Sequence, residues 1–122
     1  MKRQPSMKGR VCVDLDGVLA KYDRWRGPLR IGRPVPGAKR FLQDLQVMGL
    51  YVIIASARDS LTPVRIWLMK NKMPYNELWE GRGKPVACAY VDDRAVRCTY
   101  RIPTYGFEYA LNWVRSLKES ER

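Results

Sequence analysis

Three short apolar runs constrain this chain more than anything else in it. They are "RVCVDL" at 10–15, "LYVIIASA" at 50–57 and "ACAYV" at 87–91. Continuous apolar runs of this length read as strands covered on both faces, as in parallel sheets. Between them lie patterns of helical period. In "GAKRFLQDLQVM", 37–48, Ala38, Phe41, Leu42, Leu45 and Met48 fall on one face, with Gly49 as a stop. In the segment that follows the second run, Thr62 suits an N-cap and Pro63 the first turn. Val64, Trp67 and Leu68 form an inward stripe, and Pro74 ends it. A short strand is predicted at 77–80, a weak one at 96–100. A closing helix is predicted at 107–118, with Phe107, Ala110, Leu111, Val114 and Leu117 on its inward face. Strands that alternate with helices predict an α/β fold: one Rossmann-like three-layer sandwich with a mainly parallel sheet.

All three apolar runs end in polar residues. Asp14 and Asp16 follow the first, Ser56 and Arg58 the second, Asp92 and Asp93 the third. In open parallel sheets, sites gather at the carboxyl ends of strands. Like charges about 4 Å apart repel by several kcal/mol in a partly buried site. A hard divalent cation with oxygen ligands offsets this, and Mg²⁺ is the common choice beside phosphate. Lys84 is a further candidate for balancing charge. Ser56 and the backbone after it suit a phosphoryl oxygen, and Arg58 suits a bidentate phosphate contact. Taken singly, each Asp also suits a turn or a helix cap, Ser56 a turn, and Arg58 a solvated surface.

Composition narrows the chemistry. The 122 residues include no histidine, which excludes Ser-His-Asp and Cys-His catalysis. The three cysteines, at 12, 88 and 98, form no C-x-x-C pair, so neither a disulfide framework nor a Cys/His zinc site is expected. No run approaches the roughly 20 apolar residues of a membrane span. The N-terminus lacks the apolar stretch of a signal peptide, so a soluble, cytoplasmic protein without membrane partners is expected. The net charge is +11, and residues 1–40 hold eleven Lys/Arg against three Asp. Such a field attracts polyanions or phosphorylated substrates, or serves only solubility.

Residues 1–9 read as a flexible basic lead, and 10–122 as a single domain. Residues 17–36 are rich in Gly, Pro and Arg and read as a long loop or floppy hairpin.

"DLDGV" (14–18), "IIASAR" (53–58), "GKP" (83–85) and "YVDDRA" (90–95) resemble, in order, the four motifs of the haloacid dehalogenase-like (HAD) hydrolase superfamily. Receiver domains use similar groups in a different order. The resemblance implies a Mg²⁺-dependent phosphatase. Asp14 would be the nucleophile that forms an aspartyl-phosphate, and Asp16 the acid and base. Ser56 and Lys84 would hold the phosphoryl oxygens. Mg²⁺ would be held by the Asp14 carboxylate, the Asp16 main-chain carbonyl and Asp92, with Asp93 binding through water or orienting Lys84. Members of this superfamily usually carry a cap domain. Here about 40 residues separate Asp14 from Ser56, and 28 separate Ser56 from Lys84, so 17–36 is only a flap. Capless members act on large substrates or borrow a neighbouring subunit as lid.

The flap interleaves Lys21, Tyr22, Arg24, Trp25, Arg26, Arg30 and Arg33, which suits a nucleotide or nucleic-acid end. Trp25 would alternatively pack the flap on the core with its arginines in water. Sugar phosphates, other phosphorylated metabolites and phosphoproteins remain further substrate classes. Gly17, Arg58, Arg24 and Arg26 are the candidate substrate-binding residues. A HAD-like nucleic-acid-binding module with little or no catalysis is the alternative. A homo-oligomer is a further expectation, with Trp67, Trp79 and Tyr105 as interface candidates against core packing.

Overall fold

The computed structural model describes residues 8–119, and of Lys118 and Glu119 the backbone alone. The basic lead predicted over 1–9 therefore lies outside the described residues, apart from Lys8 and Gly9. The elements are β1 (Arg10–Asp14), α1 (Ala38–Val47), β2 (Tyr51–Ala55), α2 (Thr62–Lys70), β3 (Glu77–Leu78) and β4 (Ala89–Val91). A 3-10 turn (Pro103–Tyr105) and α3 (Phe107–Glu119) follow.

The strands form one sheet in the order β3-β2-β1-β4, and every pairing is parallel. The fold is α/β, of Rossmann-like type, and among the described residues no cap domain interrupts it. β1 lies at the centre. Its Asp14 pairs in register with Ala55, and its Val13 with Val91, so the ends of β1, β2 and β4 are level. That level edge is where the three polar strand ends meet.

Alternation along the strands sorts the core. Val11, Val13, Val52, Ile54 and Leu78 join Ala38 and Leu42 of α1 and Val64, Trp67 and Leu68 of α2 in one buried cluster. The partner positions Cys12 and Ile53 are also buried, on the other face. Leu15 and Leu19, at the start of the flap, are fully buried and seal the cluster's upper end. Ala20 bridges both Asp16 and Pro34, and the Lys21 and Val35 N–H groups donate to the Arg33 and Leu19 carbonyls. The flap is therefore anchored at both ends and is not floppy.

Several expectations are corrected. Phe41 and Met48 of α1 are exposed, and only Ala38 and Leu42 are buried. Ten residues of helix present a narrower stripe to this small sheet than the periodicity allows. α2 is capped at Leu61, without a side-chain bond, and Thr62 is already helical with Pro63 in the first turn. Residues 96–100 are not a strand: the Thr99 N–H donates to the Tyr105 carbonyl and closes a loop instead. Trp67 is no interface residue, being buried with its indole N–H on the Gly32 carbonyl at 2.9 Å.

The largest departure is α3. Its apolar residues are not inward: Phe107 is 89% exposed, and Leu111, Val114 and Leu117 are exposed as well. The element it packs against is the preceding 3-10 turn, through an edge-to-face contact of Tyr105 and Tyr109. Amphipathic spacing shows which face a helix would bury, and not what covers it.

Candidate active site

Asp14 is the last residue of β1, half-buried at the carboxyl edge of the sheet. Asp92 and Asp93 directly follow β4, the neighbouring strand. One carboxylate oxygen from each of Asp14, Asp92 and Asp93 lies within 4.8 Å of the others. Burial, with the Asp92 charge next, pushes the Asp14 carboxyl up to about 7 from its ordinary value of 3.8; Asp93 and Asp16 add to the shift. Burial raises the Cys12 thiol beneath it to about 11, with Asp14 and Asp92 contributing. Cys12 is thus a protonated thiol in the floor of the site and no nucleophile.

Three convergent carboxylates, one of them hard to ionise alone, form a donor set for a hard divalent cation. A second feature of the backbone serves this cluster. Gly17 has φ of +87°, and a Cβ there would collide with the Asp93 carboxylate. Glycine at 17 lets Asp93 reach the cluster. What the structure shows of Gly17, a candidate substrate-binding residue, is that it backs Asp93.

Beside the cluster a cleft of about 850 Å³ opens on the sheet edge. Asp14, Ser56, Lys84 and Asp92 all line it, so the sequence-predicted nucleophile, phosphoryl donors and one metal ligand share one space. The Ser56 Oγ accepts the Arg58 N–H at 3.1 Å, which fixes the side chain and leaves its own O–H to donate. The Lys84 ammonium lies 5.3 Å from the centre of the Tyr90 ring, whose hydroxyl is tied to the Pro85 carbonyl at 2.6 Å. The loop before Lys84 is braced by Trp79, whose indole N–H donates to the Gly83 carbonyl.

Asp16 and Arg58 are paired with one another. The Arg58 Nε and Nη2 donate to the two Asp16 carboxylate oxygens at 2.8 and 3.0 Å. Nη2 also reaches the Arg30 carbonyl at 2.8 Å, and Nη1 the Gly27 and Pro28 carbonyls. The indole of Trp25 lies over the same guanidinium at 4.9 Å. With its side chain 5% exposed and every N–H occupied, Arg58 has nothing left for a phosphate. It is a positioning residue that ties Asp16 to the flap. Arg24 and Arg26, unlike Arg58, do not line the Asp14 cleft. They face a separate trough on the flap, where Asp23 pairs with Arg26 at 2.8 Å and accepts the Arg24 backbone N–H.

Sequence reasoning passed over Arg94. Its N–H is taken by Asp92 at 2.8 Å, its guanidinium lies over the Tyr22 ring at 5.5 Å, and it walls a hollow shared with Asp14 and Asp16. Its place immediately after the second acidic pair was the available signal.

No protein-family model and no curated protein matches this chain. Two solved structures are similar to it. A conserved protein from Bacteroides thetaiotaomicron is 25% identical with a TM-score of 0.55, over 87% of this chain and 90% of that one. A protein from Vibrio cholerae is 24% identical with a TM-score of 0.50, over 93% and 98%. The likeness runs over nearly the whole of each chain, and what is shared is the α/β fold. No helix among the described residues is long and apolar enough to cross a membrane.

Proposed function

We propose that this protein is a Mg²⁺-dependent phosphomonoester hydrolase of the HAD type. The observation that carries the reading is the meeting of Asp14 with Asp92 and Asp93 at the ends of adjacent parallel strands, with Ser56 and Lys84 in the same cleft. Asp14, Asp92 and Asp93, with the Asp16 main-chain carbonyl, would hold the cation. Its charge would keep Asp14 ionised and neutralise phosphoryl oxygens.

Asp14 attacks phosphorus through a carboxylate oxygen. The bond to the leaving oxygen breaks, and that oxygen takes a proton from Asp16. The aspartyl-phosphate is then attacked by water, which gives its proton to Asp16 as the Asp14–phosphorus bond breaks and phosphate departs. Ser56 and Lys84 donate to the phosphoryl oxygens as their charge builds. Arg58 pairs with Asp16 as the carboxylate, so one prong of the fork opens when Asp16 carries the proton that it gives to the leaving oxygen and takes back from water. Two exposed free thiols, Cys88 and Cys98, favour a reducing compartment, and we place the enzyme in the cytoplasm.

The test is phosphate release from p-nitrophenyl phosphate with Mg²⁺, wild type against Asp14→Asn. Loss of release in the variant is expected. Equal rates in the two proteins would overturn the reading.

A further inference from the structure

We propose that the substrate is the phosphorylated end of a single-stranded nucleic acid, held along a track that runs from Asp14 onto the flap. The end placed at Asp14 rests on the phosphatase reading; the track rests on its own observations.

Three concavities share walls. The cleft and a hollow of about 260 Å³ have Asp14, Ala57, Arg58 and Asp59 in common. The hollow and a trough of about 640 Å³ have Tyr22 and Arg58 in common. The three concavities are thus neighbours on one side of the protein, so a ligand whose terminal phosphate sits in the cleft has the hollow next to it and the trough beyond. No cap domain stands over this path.

The chemistry along the path changes in an ordered way. The hollow is walled by two aromatic rings, and each has a cation stacked on it: Arg58 on Trp25 and Arg94 on Tyr22. Trp25 is nevertheless 55% exposed, so a large ring is held out toward solvent by a residue that is itself locked. A ring fixed in this way is a stacking platform for any base, because every base has a π-face. Beyond it, Lys21, Arg24, Arg30 and Arg33 line the trough, and among the described residues none of them is in an ion pair. Asp23, the trough's acid, is already taken by Arg26.

Four cations outside any ion pair in one trough, next to a hollow with two rings, match a backbone of repeated phosphates carrying bases. A phosphorylated small metabolite occupies the cleft and leaves both the rings and the trough unused. An acidic peptide uses the trough but supplies no flat rings for Trp25 and Tyr22.

The test is fluorescence anisotropy with labelled (dT)8 that carries no terminal phosphate, titrated with salt. Single strands lose affinity with a log–log slope of about −0.7 per phosphate contact, so four contacts predict a slope near −3. Arg30→Gln/Arg33→Gln should lower the slope by about 1.4, whereas Lys39→Gln/Arg115→Gln, which removes the same charge from α1 and α3, should leave it in place. Trp25→Ala should weaken binding about tenfold, with Trp25→Phe restoring most of it. Absence of binding at low salt, or an equal loss of slope in the two double variants, would overturn the track. Hydrolysis of p-nitrophenyl phosphate is read separately: an Asp14-dependent rate together with no (dT)8 binding rejects the nucleic acid and keeps the phosphatase. Binding with no Asp14-dependent rate rejects the phosphatase and keeps the trough.

Discussion

Arg58 and Asp16 form a two-pronged ion pair, 2.8 and 3.0 Å, at the ends of adjacent strands, 42 residues apart in the chain. The guanidinium is buried, and its remaining N–H groups hold three flap carbonyls. Position of the Asp16 carboxylate and position of the flap are therefore one variable. Arg58→Lys keeps the charge and loses the fork. It should lower kcat about 10- to 100-fold, within the range assigned to general acid–base help, and shift the pH profile of kcat. Arg58→Met leaves Asp16 unpaired and should cost about 3–5 kcal/mol of stability, read by urea denaturation. A Lys variant with wild-type kcat and an unchanged profile would contradict the assignment.

Gly17→Ala should damage the cation cluster from behind. The left-handed backbone alone costs about 1–2 kcal/mol for a residue with a Cβ, and the new methyl displaces the Asp93 carboxylate. Mg²⁺ affinity, measured by calorimetry, should fall. Adding Asp93→Ala removes the collision, so the double variant should recover part of the lost stability and none of the lost affinity. Additive losses of stability would show that the two residues do not touch.

Stability should depend on pH in a direction set by Asp14. Its value in the folded protein, about 7, lies above the ordinary 3.8. Between those limits the native state holds more protons than the unfolded chain, so stability falls as pH rises through that window. In EDTA, Tm should decline from pH 5 toward pH 8, and excess Mg²⁺ should flatten the decline by favouring the ionised cluster. A Tm in EDTA that climbs over this interval would refute the account.

Core and α3 should respond very differently to truncation. Leu42→Ala empties a fully buried site and should cost about 2–5 kcal/mol. Leu111→Ser and Val114→Ser, on the exposed face of α3, should each stay within about 0.5 kcal/mol. Urea denaturation measures both. Light scattering on the same proteins reads whether a second copy uses that face, since its loss would change the mass.

Much of this was legible in the residues because two periodicities carry it. Apolar runs such as Val11–Val13 and Val52–Ile54 mark strands, and their polar ends fall on one edge whenever the strands are parallel. That rule alone placed Asp14, Ser56 and Asp92 around one cleft. The pairing of Arg58 was not legible, because besides Asp16 its partners are main-chain carbonyls of Gly27, Pro28 and Arg30, which have no side-chain signature. Arg24 and Arg26 were legible as flap residues, but not that the flap turns them into a concavity of their own. α3 shows the same limit at larger scale, since its period was correct and its partner was not.

The order β3-β2-β1-β4 has a temporal consequence. β4 is three residues long and lies at the sheet's edge, yet it is the element that carries Asp92 to Asp14. As the chain is made, nearly eighty residues must emerge after the first aspartate before the second can join it. Until then the protein has a hydrophobic core but no place for a cation. An ion held there would therefore act as a latch on the last strand to arrive, and would reward the folded chain only when the sheet is complete.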